Sequence, residues 1–144
     1  MARRSIADAG FLEFSWVWNR RLHNDTPSVH RRIARWLEAR EAAGERRLVL
    51  MAFRGCGKST LVGLWCAWLL ARRPQTRILV LAADASLAVK MVASVRRIIE
   101  RHPLCRHLLP DSADVWASDR FTVARDGALR DPSMMAQGIG GNVT

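Results

Sequence analysis

Three kinds of residue are scarce in this chain. Lysine occurs only at Lys58 and Lys90, so 21 of the 23 basic residues are arginine, and acidic residues number only 13. The resulting formal charge of +10 on 144 residues points to a polyanionic partner. The competing account is the habit of an arginine-preferring genome. Arginine suits phosphate because its planar fork makes two parallel hydrogen bonds. Cysteine is also sparse: Cys56, Cys66 and Cys105 are odd in number, scattered and without metal-ligand spacing, which favours a reduced, cytoplasmic setting. No apolar run approaches the roughly 20 residues that span a bilayer. Met1-Ala2-Arg3-Arg4 is not followed by an apolar stretch and small-residue cleavage site, so neither a secretory signal nor a membrane partner is expected. Zinc fingers, basic zippers, aromatic RNA-binding signatures, internal repeats and low-complexity linkers are absent. What is present, 49% hydrophobic and 25% charged residues, is the balance of a soluble domain with a sizeable core.

The most informative stretch is 48–60, Leu-Val-Leu-Met-Ala-Phe-Arg-Gly-Cys-Gly-Lys-Ser-Thr. Leu48 to Phe53 is an almost continuous apolar run, as in a parallel strand covered on both faces. Gly55, Gly57, Lys58 and Ser59 fit the end of the pattern G-x-x-x-x-G-K-[ST], with Ala52 in place of the first glycine. Glycines let the backbone curl so that successive N–H groups face one anion. The helix that follows adds unpaired N–H donors and the positive end of its dipole. Lys58 would set a compact charge against the β- and γ-phosphates, and the Ser59 hydroxyl would hold Mg²⁺. The bland alternative is a fortuitous Gly-Cys-Gly turn with a solvated lysine, Cys56 being filler.

Periodicity organises the rest. Phe11 to Leu22 reads as a short helix or an aromatic arm, with Trp16 and Trp18 unassigned. Thr26 and Pro27 suit an N-cap and first helical residue, and Val29, Ile33, Trp36 and Leu37 keep helical spacing to a stop at Gly44. Arg46–Phe53 is the first expected strand. Leu61, Leu64, Trp65, Trp68 and Leu69 then mark one helix face, on which both tryptophans read as core. A second buried strand is expected over Arg77–Ala83, and an amphipathic helix over Ala85–His102 with Ala88, Met91, Val92, Val95, Ile98 and Ile99 inward. Asp84 would cap that helix, although Asp84 and Ser86 also lie where open parallel sheets collect ligands. Val115–Val123 reads as a short hairpin and Met134–Ile139 as an extended segment. The order strand, helix, strand, helix predicts an α/β fold with a parallel sheet.

Ala52-Phe53-Arg54-Gly55-Cys56-Gly57-Lys58-Ser59 is similar to the loop of the large subunit of phage terminases, the DNA-packaging motors, especially the podophage type. Ile78-Leu79-Val80-Leu81-Ala82-Ala83, Ile98-Ile99, Pro103-Leu104 and Leu109-Pro110 match in order and spacing. Gly138-Ile139-Gly140-Gly141-Asn142-Val143-Thr144 resembles the run that leads into the family's acidic Walker B strand. The resemblance, over roughly Thr26–Thr144, implies a P-loop NTPase with a parallel sheet flanked by helices. The sheet would be incomplete, because strands lying partly between the two assigned ones are missing. It divides the chain into an N-terminal aromatic and basic arm (1–26) and a partial ATPase domain (27–144) that stops before Walker B, with no nuclease domain. It implies ATP and Mg²⁺ as cofactors, held by Arg54, Gly55, Cys56, Gly57, Lys58, Ser59 and Thr60. Lys58 and Arg54 would be catalytic, Arg54 stabilising charge on the γ-phosphate. His30 occupies the slot of the family's adenine-side glutamine within Thr26-Pro27-Ser28-Val29-His30; its plain alternative is a helix-surface residue beside Arg31 and Arg32. Implied partners are double-stranded DNA, a portal protein, a small terminase subunit and further copies in a ring, in the host cytoplasm.

Two other readings stand beside it. One is another P-loop ATPase, such as a helicase-like protein. The other is a non-catalytic basic module with a vestigial loop, binding DNA with steep salt dependence and indifferent to ATP.

Overall fold

The computed structural model describes residues 8–111, 115–127 and 130–140. In chain order these form α1 (Phe11–Arg21), α2 (Ser28–Ala42), α3 (Lys58–Arg72), β1 (Ile78–Ala82), α4 (Ala85–Arg101), a 3-10 turn (Pro103–Leu108), β2 (Arg120–Phe121) and β3 (Met134–Gly138). Apolar side chains on more than one face make α3 the central helix. Leu61, Leu64 and Trp68 are buried as their spacing predicts, and Cys66, Ala67, Leu70 and Ala71 are buried besides. Helices α1 and α4 and the 3-10 turn pack around it.

The sheet has three strands in the order β1-β3-β2. β1 and β3 are parallel, in register from Ile78 opposite Met134 to Ala82 opposite Gly138, whereas β2 runs antiparallel to β3. Helix α4 forms the crossover between the two parallel strands and packs on both. Its buried stripe of Ala88, Val92, Val95, Ile98 and Ile99 is the expected one except for Met91, which is half-buried; each fully buried Val or Ile side chain contributes roughly 1.5–3 kcal/mol relative to exposure. Asp84 caps α4 as expected, its Oδ1 accepting from the Ser86 N–H at 2.9 Å.

The first expected strand requires correction. Arg46–Phe53 joins no ladder among the described residues. The partner of β1 is β3, so the parallel pair is formed by Ile78–Ala82 and Met134–Gly138, and β2 makes the sheet mixed. Val49, Met51 and Phe53 are 77%, 88% and 67% exposed, while Leu50 packs on the core. Nor is β1 covered on both faces: Leu79 and Leu81 are 53% and 57% exposed. An apolar segment is buried only where another strand and another layer meet it; no strand meets 48–53, and α2 and the core meet it on one side alone.

The N-terminal alternatives resolve to a helix. Phe11, Phe14 and Trp18 of α1 face the core, and Phe11 meets Trp65 edge-on at 4.9 Å. Gly10 has no side chain with which to cap α1, so the cap comes from Glu38 of α2, which accepts the Phe11 N–H at 2.6 Å. Trp16 is exposed, with the Arg20 guanidinium 5.7 Å from its ring. Helix α2 begins at Ser28, with Pro27 at the cap position. Thr26 does not cap it; its hydroxyl instead accepts from Asn19 Nδ2 at 3.0 Å, an alternative partner of the kind such side chains readily find. Gly44 turns the chain after α2 at φ 71°, as its position predicts.

His102 ties the ends of this layer together. Its ring stacks on Phe14 at 3.8 Å and on Trp18 at 6.0 Å. Nε2 donates to the Phe14 carbonyl at 2.9 Å, and Nδ1 accepts the Leu104 N–H at 3.1 Å. The expected hairpin over Val115–Val123 forms around Trp116 and Phe121. Residues 1–7 of the expected arm, residues 112–114 and 128–129, and residues 141–144 of the glycine-rich run lie outside the described residues.

Candidate functional site

The exposed apolar segment ends in a loop that opens α3. Gly55 and Gly57 sit at φ 85° and 80°, values that side chains of L-residues rarely adopt. This is the physical reason for glycine at both positions. The first helical bond of α3 runs from the Leu61 N–H to the Gly57 carbonyl, 3.1 Å. The N–H groups of Lys58, Ser59 and Thr60 therefore stand ahead of any intrahelical acceptor. No acidic residue occupies that first turn, so nothing there offsets the positive end of the helix dipole.

Lys58 turns back over the loop. Its Nζ donates to the Ala52 carbonyl at 2.9 Å and the Phe53 carbonyl at 3.4 Å. Those acceptors are neutral, so the ammonium keeps its full charge for an anion. Ser59 and Thr60 are exposed at the start of α3, and Arg54 is exposed on the loop, bonded to nothing among the described residues. Cys56 is buried beneath the loop, which fits the filler role. The other two cysteines are core residues: burial pushes the thiols of Cys66 and Cys105 up to about 12, so neither is a ready nucleophile.

His30 approaches from α2. Its Nε2 lies 2.6 Å from the Cys56 carbonyl, and because a carbonyl only accepts, that nitrogen carries the proton. The ring packs so closely that a Cβ added to Gly57 would fall 2.7 Å from Nε2. His30 is thus brought to the loop backbone. Sequence spacing could not foresee this contact, which joins residues 26 positions apart.

A groove of about 510 Å³ lies beside Ser59 and Thr60, walled by Val80, Leu81, Leu87, Met91 and Lys90. Lys90 was not singled out from sequence, although its rarity in an arginine-rich chain was the available signal. Asp84 and Ser86 do not line this groove. The bonds from the Ser86 N–H and hydroxyl, with a smaller pull from Lys90, hold the Asp84 carboxyl below its ordinary range, consistent with a cap. Among the described residues there is no group of three His, Cys, Asp or Glu side chains that could hold a metal ion, and no helix is long and apolar enough to cross a membrane.

The arrangement fits a phosphate chain: unpaired amide donors, two glycines at positive φ and one ammonium converge on the same turn. Comparison with known proteins finds two distant similarities. A family model described as RNA cytidine acetyltransferase NAT10/TcmA, helicase domain, matches residues 49–119, a stretch containing the loop, α3, β1 and α4. The chain is also 30% identical over 99 residues to the terminase large subunit of Enterobacteria phage T3, a match that covers 69% of this chain and 17% of that protein. These are distant similarities to a P-loop-type domain and to a terminase large subunit, and they suggest an ATPase-type function for an α/β chain with a small mixed sheet.

Proposed function

We propose that this chain is the nucleotide-binding part of a DNA-translocating ATPase of the terminase large-subunit kind. In the whole protein, ATP hydrolysis would drive double-stranded DNA into a procapsid. The observation that carries the reading is the glycine loop opening α3 with Lys58 folded over it, supported by similarity to a terminase large subunit. The amides of Gly55 to Thr60 and the Lys58 ammonium would hold the phosphates, Ser59 the Mg²⁺, and Arg54 would meet charge developing at the γ-phosphate. Bound ATP with Mg²⁺ supplies a phosphoryl group activated for transfer. This chain's own residues bind and orient it, and Lys58 and Arg54 neutralise its charge. Among the described residues no carboxylate lines the groove beside Ser59 and Thr60, where one would orient Mg²⁺ and water, so hydrolysis by the chain alone is expected to be slow. Portal protein, small subunit and further copies of the chain would be partners of the whole assembly.

A helicase-like ATPase is the second reading, favoured by the match over residues 49–119. The two differ in what they do to a duplex. Fluorescence anisotropy of labelled duplex DNA, with and without a non-hydrolysable ATP analogue and Mg²⁺, together with a strand-separation assay in hydrolysable ATP and Mg²⁺, provides the test. The motor reading expects duplex binding that changes on adding nucleotide, with the strands remaining annealed. Strand separation would favour the helicase reading. Duplex binding indifferent to nucleotide would overturn both in favour of a basic binding module.

A further inference from the structure

His30 is the one side chain from another helix that bonds the backbone of the phosphate loop among the described residues. Its resemblance-based role is contact with the adenine ring, but its Nε2–H is engaged by the Cys56 carbonyl at 2.6 Å. A trans peptide points its C=O and its N–H in opposite directions. A carbonyl of Cys56 drawn toward α2 therefore turns the N–H of Gly57 away from α2. Gly57 itself has φ 80° and ψ 23°, a conformation glycine leaves easily. Without an anchor, the Cys56–Gly57 peptide is free to rotate and present an oxygen where the loop needs a donor. The same ring also occupies the space next to Gly57, where a Cβ would meet it at 2.7 and 2.9 Å. Donor and bulk thus act on one peptide plane.

We infer that His30 is a positioning residue, a latch that fixes the Cys56–Gly57 peptide in the orientation that presents its N–H to a triphosphate, and that it does not select the base. This rests on the nucleotide-binding reading above. The consequence is specific: His30 sets affinity for the phosphate chain equally whatever is attached to it. A base-contacting residue would instead separate adenine from guanine nucleotides.

The test uses the intact chain and three probes: a fluorescent ATP analogue, the corresponding GTP analogue, and inorganic tripolyphosphate as competitor, all with Mg²⁺. His30→Met keeps bulk but removes the donor; His30→Gln keeps an N–H that can reach a carbonyl. One net hydrogen bond corresponds to roughly a 3- to 10-fold change in affinity. The latch requires His30→Met to weaken all three probes by that factor alike and His30→Gln to recover most of it, with the melting temperatures of both variants close to that of the parent. Weakening confined to the ATP analogue would overturn the latch in favour of a base contact. Unchanged affinities in His30→Met, with binding still lost in Lys58→Ala, would overturn the latch alone. Absence of binding by the parent chain would overturn the nucleotide reading and the latch with it.

Discussion

Residues 48–53 and 78–82 are alike in composition and differ in strand pairing. Both are short apolar runs, Leu-Val-Leu-Met-Ala-Phe and Ile-Leu-Val-Leu-Ala, and each runs on toward a helix. Ile78–Ala82 finds β3 along one edge and α4 over one face. The other segment finds no strand, only α2 and a little of the core; alternate side chains stand in solvent in both, but Val49, Met51 and Phe53 more fully than Leu79 and Leu81. Strand character is local, whereas burial is conferred by neighbours. The loop's geometry survives this difference, because Gly55, Gly57 and α3 define it without a ladder on the preceding strand.

The sharpest way to break the comparison is to remove one side chain from each segment's surroundings. Met134 of β3 is fully buried opposite Ile78. Met134→Ala is expected to cost about 2–5 kcal/mol, whereas Met51→Ala, at an exposed position, should change stability by no more than about 0.5 kcal/mol. Urea unfolding of the two variants measures both; equal losses would mean that 48–53 is packed after all.

A smaller effect comes from the well-packed side alone. Burial is the main cause that holds the His102 ring below its ordinary value of 6.5; the Arg21 charge adds to it, and the bond to the Phe14 carbonyl opposes it in part. The folded chain therefore binds this proton less readily than the unfolded chain. The stabilisation is complete above pH 6.5 and is lost as pH falls toward the folded-state value. Melting temperature should fall between pH 7.5 and 5.5, and His102→Leu should flatten that dependence even if it lowers stability throughout. An unaltered slope in the variant would assign the acid sensitivity elsewhere.

The smallest expected effect lies on the exposed side. Val49→Lys with Met51→Glu should leave the melt within about 0.5 kcal/mol of the parent while reducing self-association seen by light scattering, since unpaired apolar strands seek other strands. A large loss of stability would contradict the exposure of these side chains.

Much of this was legible from sequence because it is local. The spacing of Leu61, Leu64 and Trp68, the stripe on α4, the Asp84 cap and the stop at Gly44 each depend on residues within a turn or two. So does the glycine loop, whose positive φ angles are the ones its glycines permit. What escaped was long-range. Pairing of β1 with Met134–Gly138 joins segments some fifty residues apart, and nothing in Met-Met-Ala-Gln-Gly advertises a parallel partner. Helix α1 read ambiguously because apolar and aromatic residues, Leu12, Trp16 and Val17 among them, lie on more than one face, yet Phe11, Phe14 and Trp18 are core. The His30 contact needed α2 and the loop to be placed together in space.

The central claim is that the loop at 54–60 binds a nucleoside triphosphate, and the most direct measurement is a titration of the intact chain with a fluorescent ATP analogue and Mg²⁺, repeated with Lys58→Ala. Loss of one charge-assisted contact corresponds to roughly a 10- to 100-fold fall in affinity. The account predicts saturable binding by the parent that falls by that factor in the variant; identical curves for the two proteins would contradict it.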